Sequence, residues 1–308
     1  MKRRGYGRDG GLTARMVSVT FLLGLLYVVF FVVLWQILDF GIGFALVLAG
    51  GIAIFQWYTS DKVALLASGA KVVTPEQEPR LHETVDRLCA MADLPKPRVA
   101  VIETEMPNAF ATGRTPKHSA VAVTRGLMER LEPREVEGVL AHELSHIGNR
   151  DVTIMTVASF FAMLAAILTR IGLYSGMFGG GGGRDRDSGG GGAPVWLILL
   201  LVSMVTYVLS WVLMMAISRY REYAADRGAA LITGAPENLM SALQKIASRM
   251  LQIPQRDLRE VERMNAFFIV PTNVKARAAE LFMTHPPLEK RLAALSQIAR
   301  EMGRPVPA

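Results

Sequence analysis

Four long apolar segments constrain the fold of this chain more than any other feature. They cover residues 16–38, 40–58, 152–174 and 194–217, in a chain of 308 residues that is 51% hydrophobic. Each is about as long as a helix that crosses the hydrocarbon core of a bilayer. Only helices and closed barrels satisfy the backbone there, so we expect four transmembrane helices. The alternative is that the third and fourth segments are buried core helices, but their length and their near absence of charge favour spans.

Basic residues near the ends of these segments predict the orientation of the chain. They precede the first segment and follow the fourth: Lys2, Arg3, Arg4, Arg8, Arg15, Arg219, Arg221 and Arg227. Cytoplasmic loops carry an excess of Lys and Arg, so both termini and residues 59–151 are predicted to be cytoplasmic. The net charge of +7 suits an anionic inner leaflet. It does not indicate nucleic acid, because no basic stripe is interleaved with aromatic residues.

The sequence therefore divides into five parts. A basic segment (1–15) is followed by a hairpin of two spans (16–58) and by the first part of a soluble domain (59–151). A second hairpin (152–217) encloses a glycine-rich loop at 176–193, and residues 218–308 complete the soluble domain.

Hydrophobic spacing predicts a mainly α soluble domain with a small β-sheet. Helical periodicity occurs at 75–93, 236–251 and 288–302, and β-branched or alternating residues predict strands at 98–102 and 119–124. A turn at 106–108 leads into a short extended piece that ends at Gly113. Pro133 suits the first turn of another helix.

That last helix carries the motif His142-Glu143-Leu144-Ser145-His146. Histidines four positions apart share one helix face and can bind one metal ion, and Glu143 can reach a water on that ion. This is the His-Glu-x-x-His pattern of zinc peptidases, which predicts one Zn²⁺ per subunit. If the helix continues into the third apolar segment, His146 lies roughly 9 Å from residue 152, just off the membrane surface.

A catalytic zinc usually needs a third protein ligand, and Glu222 is the best candidate. It follows the fourth span directly, and an even number of spans between His146 and Glu222 places both on the same side. Asp226, four residues further, would accept a hydrogen bond from the outer nitrogen of one histidine. In the alternative interpretation, both acids only pair with neighbouring arginines on a solvated face.

Two further residues are candidates for substrate contacts. Asn108 could bond the main chain of a peptide that adds as a strand beside 108–113, or it is a plain turn residue. His285 could donate a hydrogen bond to a tetrahedral oxyanion, or it is structural. We expect His82 and His118 to be ordinary surface residues.

The run from Glu137 to Asp151 that contains the motif, the Arg221-Glu222-Tyr223-Ala224-Ala225-Asp226 run and the four-span layout resemble the HtpX family of membrane zinc endopeptidases. That family is related to the CAAX prenyl endopeptidases. The resemblance implies a gluzincin-type site, with His142, His146 and Glu222 on zinc and Glu143 as the base. It also implies a multi-pass protein of the plasma or inner membrane that cleaves unfolded or damaged membrane proteins in quality control and stress response. Its role would overlap with that of an ATP-dependent membrane protease.

Two other functions remain open on the sequence. An intramembrane metalloprotease also carries His-Glu-x-x-His, but inside a span, whereas here Arg150 and Asp151 lie between the motif and the apolar segment. A non-catalytic membrane adaptor could keep zinc as a structural element, although such a site has no need of Glu143.

Overall fold

The computed structural model describes residues 10–37, 42–178, 195–252 and 286–305. The helices among them are α1 (Gly10–Ile37), α2 (Ile42–Ala67), α3 (Pro79–Ala92), α4 (Arg125–Arg130), α5 (Pro133–Asn149), α6 (Asp151–Phe178), α7 (Val195–Thr233), α8 (Pro236–Gln252) and α9 (Leu288–Glu301). The strands are β1 (Lys71–Val72), β2 (Arg98–Ile102), β3 (Ala109–Thr115) and β4 (His118–Thr124). The prediction of a mainly helical fold with a small sheet is confirmed.

The four strands form one sheet in the order β1-β2-β4-β3. Strand β2 pairs in parallel with β4, while β1 and β3 are antiparallel to their neighbours. Strand β3 therefore lies at one edge of the sheet. It contacts α5, which carries the histidine motif.

Alternating side chains give the sheet two different faces. Val99 and Val101 of β2 and Val121 of β4 point into a large core shared with α3, α5, α7, α8 and α9. The opposite face carries alanines such as Ala100, which receive the last turns of α2. The period of two in the strand sequences thus sends branched residues to the main core and small ones to α2. That main core draws on both halves of the predicted soluble domain.

Helix starts and ends agree with local sequence signals. Helices α3, α5 and α8 each begin with proline, whose missing N–H costs nothing in a first turn. Helix α5 ends at Asn149, and Arg150 adopts a left-handed conformation with φ of 59° before α6 starts at Asp151. The helix therefore does not continue unbroken into the third apolar segment, the case considered from the sequence: the chain turns at Arg150.

Two helices in the described part of the chain are long and apolar enough to cross a membrane. They are Gly10–Val33 and Trp196–Thr233, which correspond to the first and fourth predicted spans. Large apolar residues on both are exposed, among them Phe21 and Val208. The second and third spans stay predictions, and most of the glycine-rich loop lies outside the described residues.

The two candidate membrane helices pack against each other. Leu23 and Tyr27 of α1 are buried against Ile217 of α7. Beyond Ile217, α7 continues without a break to Thr233 and carries Glu222 and Asp226 into the soluble core. One helix thus links the apolar region to the core that contains Glu222 and Asp226.

One histidine differs from expectation. His82 is 7% exposed rather than at the surface, and its Nε2 lies 3.1 Å from the Val73 carbonyl. His118 is exposed, as predicted.

Candidate metal centre

Helices α5 and α7 approach closely enough to bring three donor side chains together. His142 and His146 lie one turn apart on α5, and Glu222 faces them from α7. The approach depends on Gly228, because a Cβ there would lie 2.8 Å from the Cβ of Ser145 on α5. His142, His146 and Glu222 are all buried, with at most 8% of their surface exposed.

The donor atoms of the three side chains lie close together. The Nε2 atoms of His142 and His146 are 3.1 Å apart. Oε2 of Glu222 lies 3.6 Å from Nε2 of His142, and Oε1 of the same carboxylate lies 3.5 Å from Nε2 of His146. The predicted convergence of these residues from distant parts of the sequence is therefore observed.

The separations between the donor atoms suit a tetrahedral cation. Zinc–ligand bonds of about 2.0–2.1 Å in tetrahedral geometry place neighbouring donor atoms roughly 3.3–3.4 Å apart. The three observed distances bracket that value. Two imidazoles and one carboxylate are also the donors that zinc uses in many hydrolases, so the residues present fit the metal.

Asp226 occupies the position predicted for it. Its Oδ1 lies 2.9 Å from Nδ1 of His142. On its other side, the buried guanidinium of Arg291 donates to both carboxylate oxygens of Asp226, at 2.9 and 2.6 Å. Arg291 also lies 3.4 Å from Glu222. The outer nitrogen of His142 is thus held by a carboxylate that is itself held by an arginine.

His146 has an equivalent partner that sequence reasoning missed. Nδ1 of His146 lies 2.6 Å from Oδ2 of Asp151, and Arg221 lies 3.2 Å from the other oxygen of that carboxylate. Asp151 is fully buried at the first position of α6. The turn at Arg150 brings this carboxylate back to the histidine.

Signals for the missed residues exist in the sequence. Asp151 follows the helix-weakening pair Gly148-Asn149, which could have suggested a chain reversal beside His146. Arg291 lies on the same face of α9 as Leu295 and Ile298. A charged residue on an apolar helix face indicates a buried partner.

The electrostatic environment favours a cation at this point. Burial alone would lower the pKa of His146, but Asp151 and Glu222 outweigh burial and raise that pKa to about 10. The pKa of His142 is raised in the same way, since Asp226 and Glu222 outweigh the effect of burial. Carboxylates that stabilise the protonated form of both imidazoles also stabilise a metal cation at the same place.

Glu143 lies between the metal site and the edge strand. It is buried on α5, and burial raises the pKa of its carboxyl group. Its carboxylate also has a backbone hydrogen bond with Ala111 of β3. The residue predicted to act as base is therefore next to the strand predicted to receive a peptide.

Of the two residues predicted to contact substrate, the structure describes one. Asn108 is 3% exposed directly before β3, and its backbone N–H donates to the hydroxyl of Thr124 at 2.9 Å. His285 lies outside the described residues. The substrate roles of both residues stay predictions.

Comparison with known proteins identifies close relatives across the whole chain. Residues 75–299 match Peptidase family M48. The chain is 51% identical to a Protease HtpX homolog of Moorella thermoacetica, over 97% of this chain and 98% of that protein. It is 48% identical to Protease HtpX homolog 2 of Methanosarcina acetivorans, over 98% of this chain and 100% of that protein.

A solved structure shares the fold. The crystal structure of S. mikatae Ste24p matches with a TM-score of 0.55 and 18% sequence identity, over 92% of this chain and 65% of that chain. At this identity the likeness concerns the fold alone.

Proposed function

We propose, on the premise that this chain belongs to the HtpX members of peptidase family M48, that it is a zinc-dependent endopeptidase with a gluzincin-type site. The family makes it a protease, and its relatives together with two apolar helices make it a membrane protein. The observation that most supports zinc is the cluster of donor atoms: the two Nε2 atoms are 3.1 Å apart, and one oxygen of Glu222 lies 3.6 Å from His142 and the other 3.5 Å from His146. In this proposal His142, His146 and Glu222 bind the metal.

The chemistry that bound zinc supplies is that of a Lewis acid, which polarises the scissile carbonyl and makes the attacking water more acidic. Glu143 accepts the proton of that water and later delivers it to the leaving amine. Burial raises the pKa of Glu143, which makes it a stronger base than an exposed carboxylate. Asp226 and Asp151 orient the two imidazoles so that Nε2 of each faces the metal.

Substrate would add to the sheet along the side of β3 that pairs with no other strand in the described part of the chain. Edge strands offer unpaired backbone groups to extended peptides, and β3 is an edge strand in contact with α5. Asn108 directly before β3 would bond the substrate main chain, and His285 would donate to the oxyanion. The hydrogen bond between Glu143 and Ala111 supports this placement, because it puts the base beside the strand.

The cellular part of the proposal rests on the family resemblance and on charge. We infer a multi-pass protein of the plasma or inner membrane with four spans, and with both termini and the active site in the cytoplasm. Substrates would be unfolded or damaged membrane proteins, in a role that overlaps with an ATP-dependent membrane protease. The basic residues beside the apolar segments support this orientation.

The surroundings of α5 argue against an intramembrane site. This helix carries Arg134, Glu135 and Glu137 and packs on the sheet, α3 and α8. A helix inside a bilayer would not carry three charges near its start. The site therefore belongs with the soluble part of the chain, next to the membrane helices.

Casein cleavage in detergent with zinc tests the enzymatic role. We expect Glu143→Gln to lose activity by about a hundredfold or more, since general-base catalysis contributes roughly 10²–10⁴-fold, while zinc content stays the same. Glu137→Gln is the matched control: this residue is on the same helix, and its carboxylate pairs with Arg87 at 3.2 Å. Equal inertness of wild type and Glu143→Gln at full zinc occupancy would favour the adaptor.

A further inference from the structure

A cavity of about 300 Å³ lies away from the histidine pair. It is formed by the end of α2, the start of β2 and the turn between β3 and β4. Its lining consists of Tyr58, Asp61, Lys62, Lys96, Arg98, Arg114, Lys117, His118 and Ser119. No aliphatic side chain is among them, so this cavity suits a polar group.

The cavity carries an excess of positive charge. Asp61 is the acidic residue in its lining, and it is shared by Arg98 at 2.6 Å and Arg114 at 4.0 Å. Lys62 and Lys117 have no ion-pair partner among the described residues. A phosphate group would supply the missing negative charge.

The guanidinium of Arg114 is held in position before any ligand arrives. It donates a hydrogen bond to the carbonyl of Tyr58 at 3.0 Å and lies 4.0 Å above the Tyr58 ring. Asp61, which is 4% exposed, fixes Arg98 from the other side. Arginines that are already ordered lose little conformational freedom when they bind an anion.

The cavity lies where two apolar segments meet the soluble part of the chain. Tyr58 is the last residue of the second apolar segment. The carbonyl of Arg114 accepts a hydrogen bond of 2.8 Å from Thr153, at the start of the third segment. If these segments are spans, the cavity is at the depth of lipid head groups.

One side of α2 is apolar at one end and basic at the other, so it could contact both the acyl chains and the phosphate of a phospholipid. Phe55, Tyr58 and Lys62 are spaced by three and four residues, so they lie along one side of the helix. Phe55 is 70% exposed, Ile54 beside it 67% and Tyr58 54%. Acyl chains could lie on this apolar surface while the phosphate sits among the basic residues one to two turns further on.

We propose that this cavity binds the phosphate head group of an anionic phospholipid and anchors the soluble part of the chain to the bilayer surface. The inference rests on the proposed function only in placing Tyr58 at the membrane interface. An acidic peptide is the less favoured ligand, because no aliphatic side chain lines the cavity to hold the residues that flank its carboxylates.

Native mass spectrometry of the full chain in non-ionic detergent tests the proposal. The protein is titrated with phosphatidylglycerol, with phosphatidylcholine, and with phosphatidylglycerol in competition with inorganic phosphate or an acidic peptide. The variant is Lys62→Gln with Lys117→Gln. Its control, Lys71→Gln with Arg134→Gln, removes the same charge from exposed residues outside the cavity.

We expect one tightly held phosphatidylglycerol per chain and no comparable retention of phosphatidylcholine. The cavity variant should bind phosphatidylglycerol roughly thirtyfold more weakly, because it lacks two basic residues that each contribute about 1 kcal/mol at an anionic surface. The control should match wild type. Each single lysine substitution should give an intermediate loss, and equal unfolding temperatures confirm that the variants fold.

Several results would overturn the proposal. Equal losses in both double variants would indicate diffuse charge, and equal retention of phosphatidylcholine would indicate an apolar contact. Displacement of the lipid by equimolar inorganic phosphate or acidic peptide would assign the cavity to a soluble anion or to a peptide. Binding is read without zinc or cleavage, so an inactive chain that still retains the lipid separates this proposal from the proteolytic one.

Discussion

Each histidine of the pair has an aspartate at its outer nitrogen, and the two aspartates come from different helices. Asp226 of α7 holds the outer nitrogen of His142 at 2.9 Å, and Asp151 of α6 holds that of His146 at 2.6 Å. A carboxylate at Nδ1 fixes the ring orientation and leaves Nε2 free to bind a metal. Both aspartates are backed by arginines. Burial alone would raise the pKa of Asp226, but Arg291 outweighs burial and lowers that pKa, and Arg221 lies 3.2 Å from Asp151.

At the residue scale, Asp151→Asn should weaken zinc binding. Loss of such a partner typically costs about 10–100-fold in metal affinity or activity, and we expect that range for chelator competition with the purified protein. Asp86→Asn is the control, because Asp86 is exposed and pairs with Lys96 at 2.8 Å, away from the histidines. If both variants bind zinc as wild type does, Asp151 has no role in orienting His146.

Sequence reasoning could identify the donors of the site but only half of their supports. His142 and His146 follow from helix periodicity, and Glu222 and Asp226 from their spacing after an apolar helix. Asp151 is harder to assign, because a continuous helix would carry it away from His146. Its position depends on the left-handed backbone of Arg150, which the pair Gly148-Asn149 suggests but does not specify.

At the element scale, the contact between α5 and α7 sets the spacing of the donors. Gly228→Ala would force its new methyl group against Ser145, and overpacking of this kind costs about 1–3 kcal/mol. We expect a lower unfolding temperature and weaker zinc binding, because Glu222 moves with α7. Both are measured by thermal unfolding with and without zinc.

Gly148→Ala provides the matched control for that prediction. A Cβ there would meet only the tip of Leu94, at 3.6 Å, which is ordinary contact. Alanine in a helix interior is favoured over glycine by roughly 0.5–1 kcal/mol, so this variant should be as stable as wild type or slightly more. Equal unfolding temperatures and zinc binding in Gly228→Ala and Gly148→Ala would show that α5 and α7 can move apart without loss of stability.

The docking of α8 on α5 should depend on pH through Glu135. Burial would raise the pKa of this carboxyl, but hydrogen bonds from Lys245 and Ser241 outweigh it and lower the pKa below 4.5. A carboxyl with a lowered pKa in the folded state stabilises the fold above its unfolded pKa and loses that contribution as pH falls. The stabilisation should therefore be full at neutral pH and fade below about pH 4.5.

Thermal unfolding of wild type and Glu135→Gln across this pH range measures the effect. The difference in stability should be about 1–3 kcal/mol near neutral pH and should shrink on acidification. The exposed Glu83 supplies the control through Glu83→Gln, which should differ little from wild type at any pH. A difference that grows as the pH falls would contradict the assignment.

At the scale of the whole molecule, one long helix joins the apolar region to the metal centre. Helix α7 has 39 residues and is therefore roughly 58 Å long, about twice the thickness of the hydrocarbon core. Its second half lies in the main core, which explains how Glu222 can follow an apolar segment and yet be buried in protein.

Single cysteines test the proposed topology, because Cys89 is the only native cysteine and Cys89→Ala removes it. In that background, Ser188→Cys in the glycine-rich loop should react with an impermeant maleimide on intact cells. Lys71→Cys should react only after the membrane is opened. The reverse pattern, or labelling of both in intact cells, would contradict a cytoplasmic active site between two hairpins.

The global architecture was only partly predictable. Strand positions, proline-started helices and apolar segments follow from local patterns, and these agree with the structure for β2, β4, α5 and α8. The strand order β1-β2-β4-β3 and the packing of α2 against the alanine face of the sheet do not follow from local patterns. They depend on contacts between distant segments, which periodicity alone does not encode.

Zinc content of the purified full chain, with and without Glu222→Gln, tests the central claim most directly. We predict about one zinc ion per wild-type chain and a large loss of zinc in the variant, because Glu222 is the third member of the cluster of donor side chains. Glu289→Gln, at an exposed residue of α9, should retain the metal. Unchanged zinc content and affinity in Glu222→Gln would contradict the claim that α5 and α7 together hold the ion.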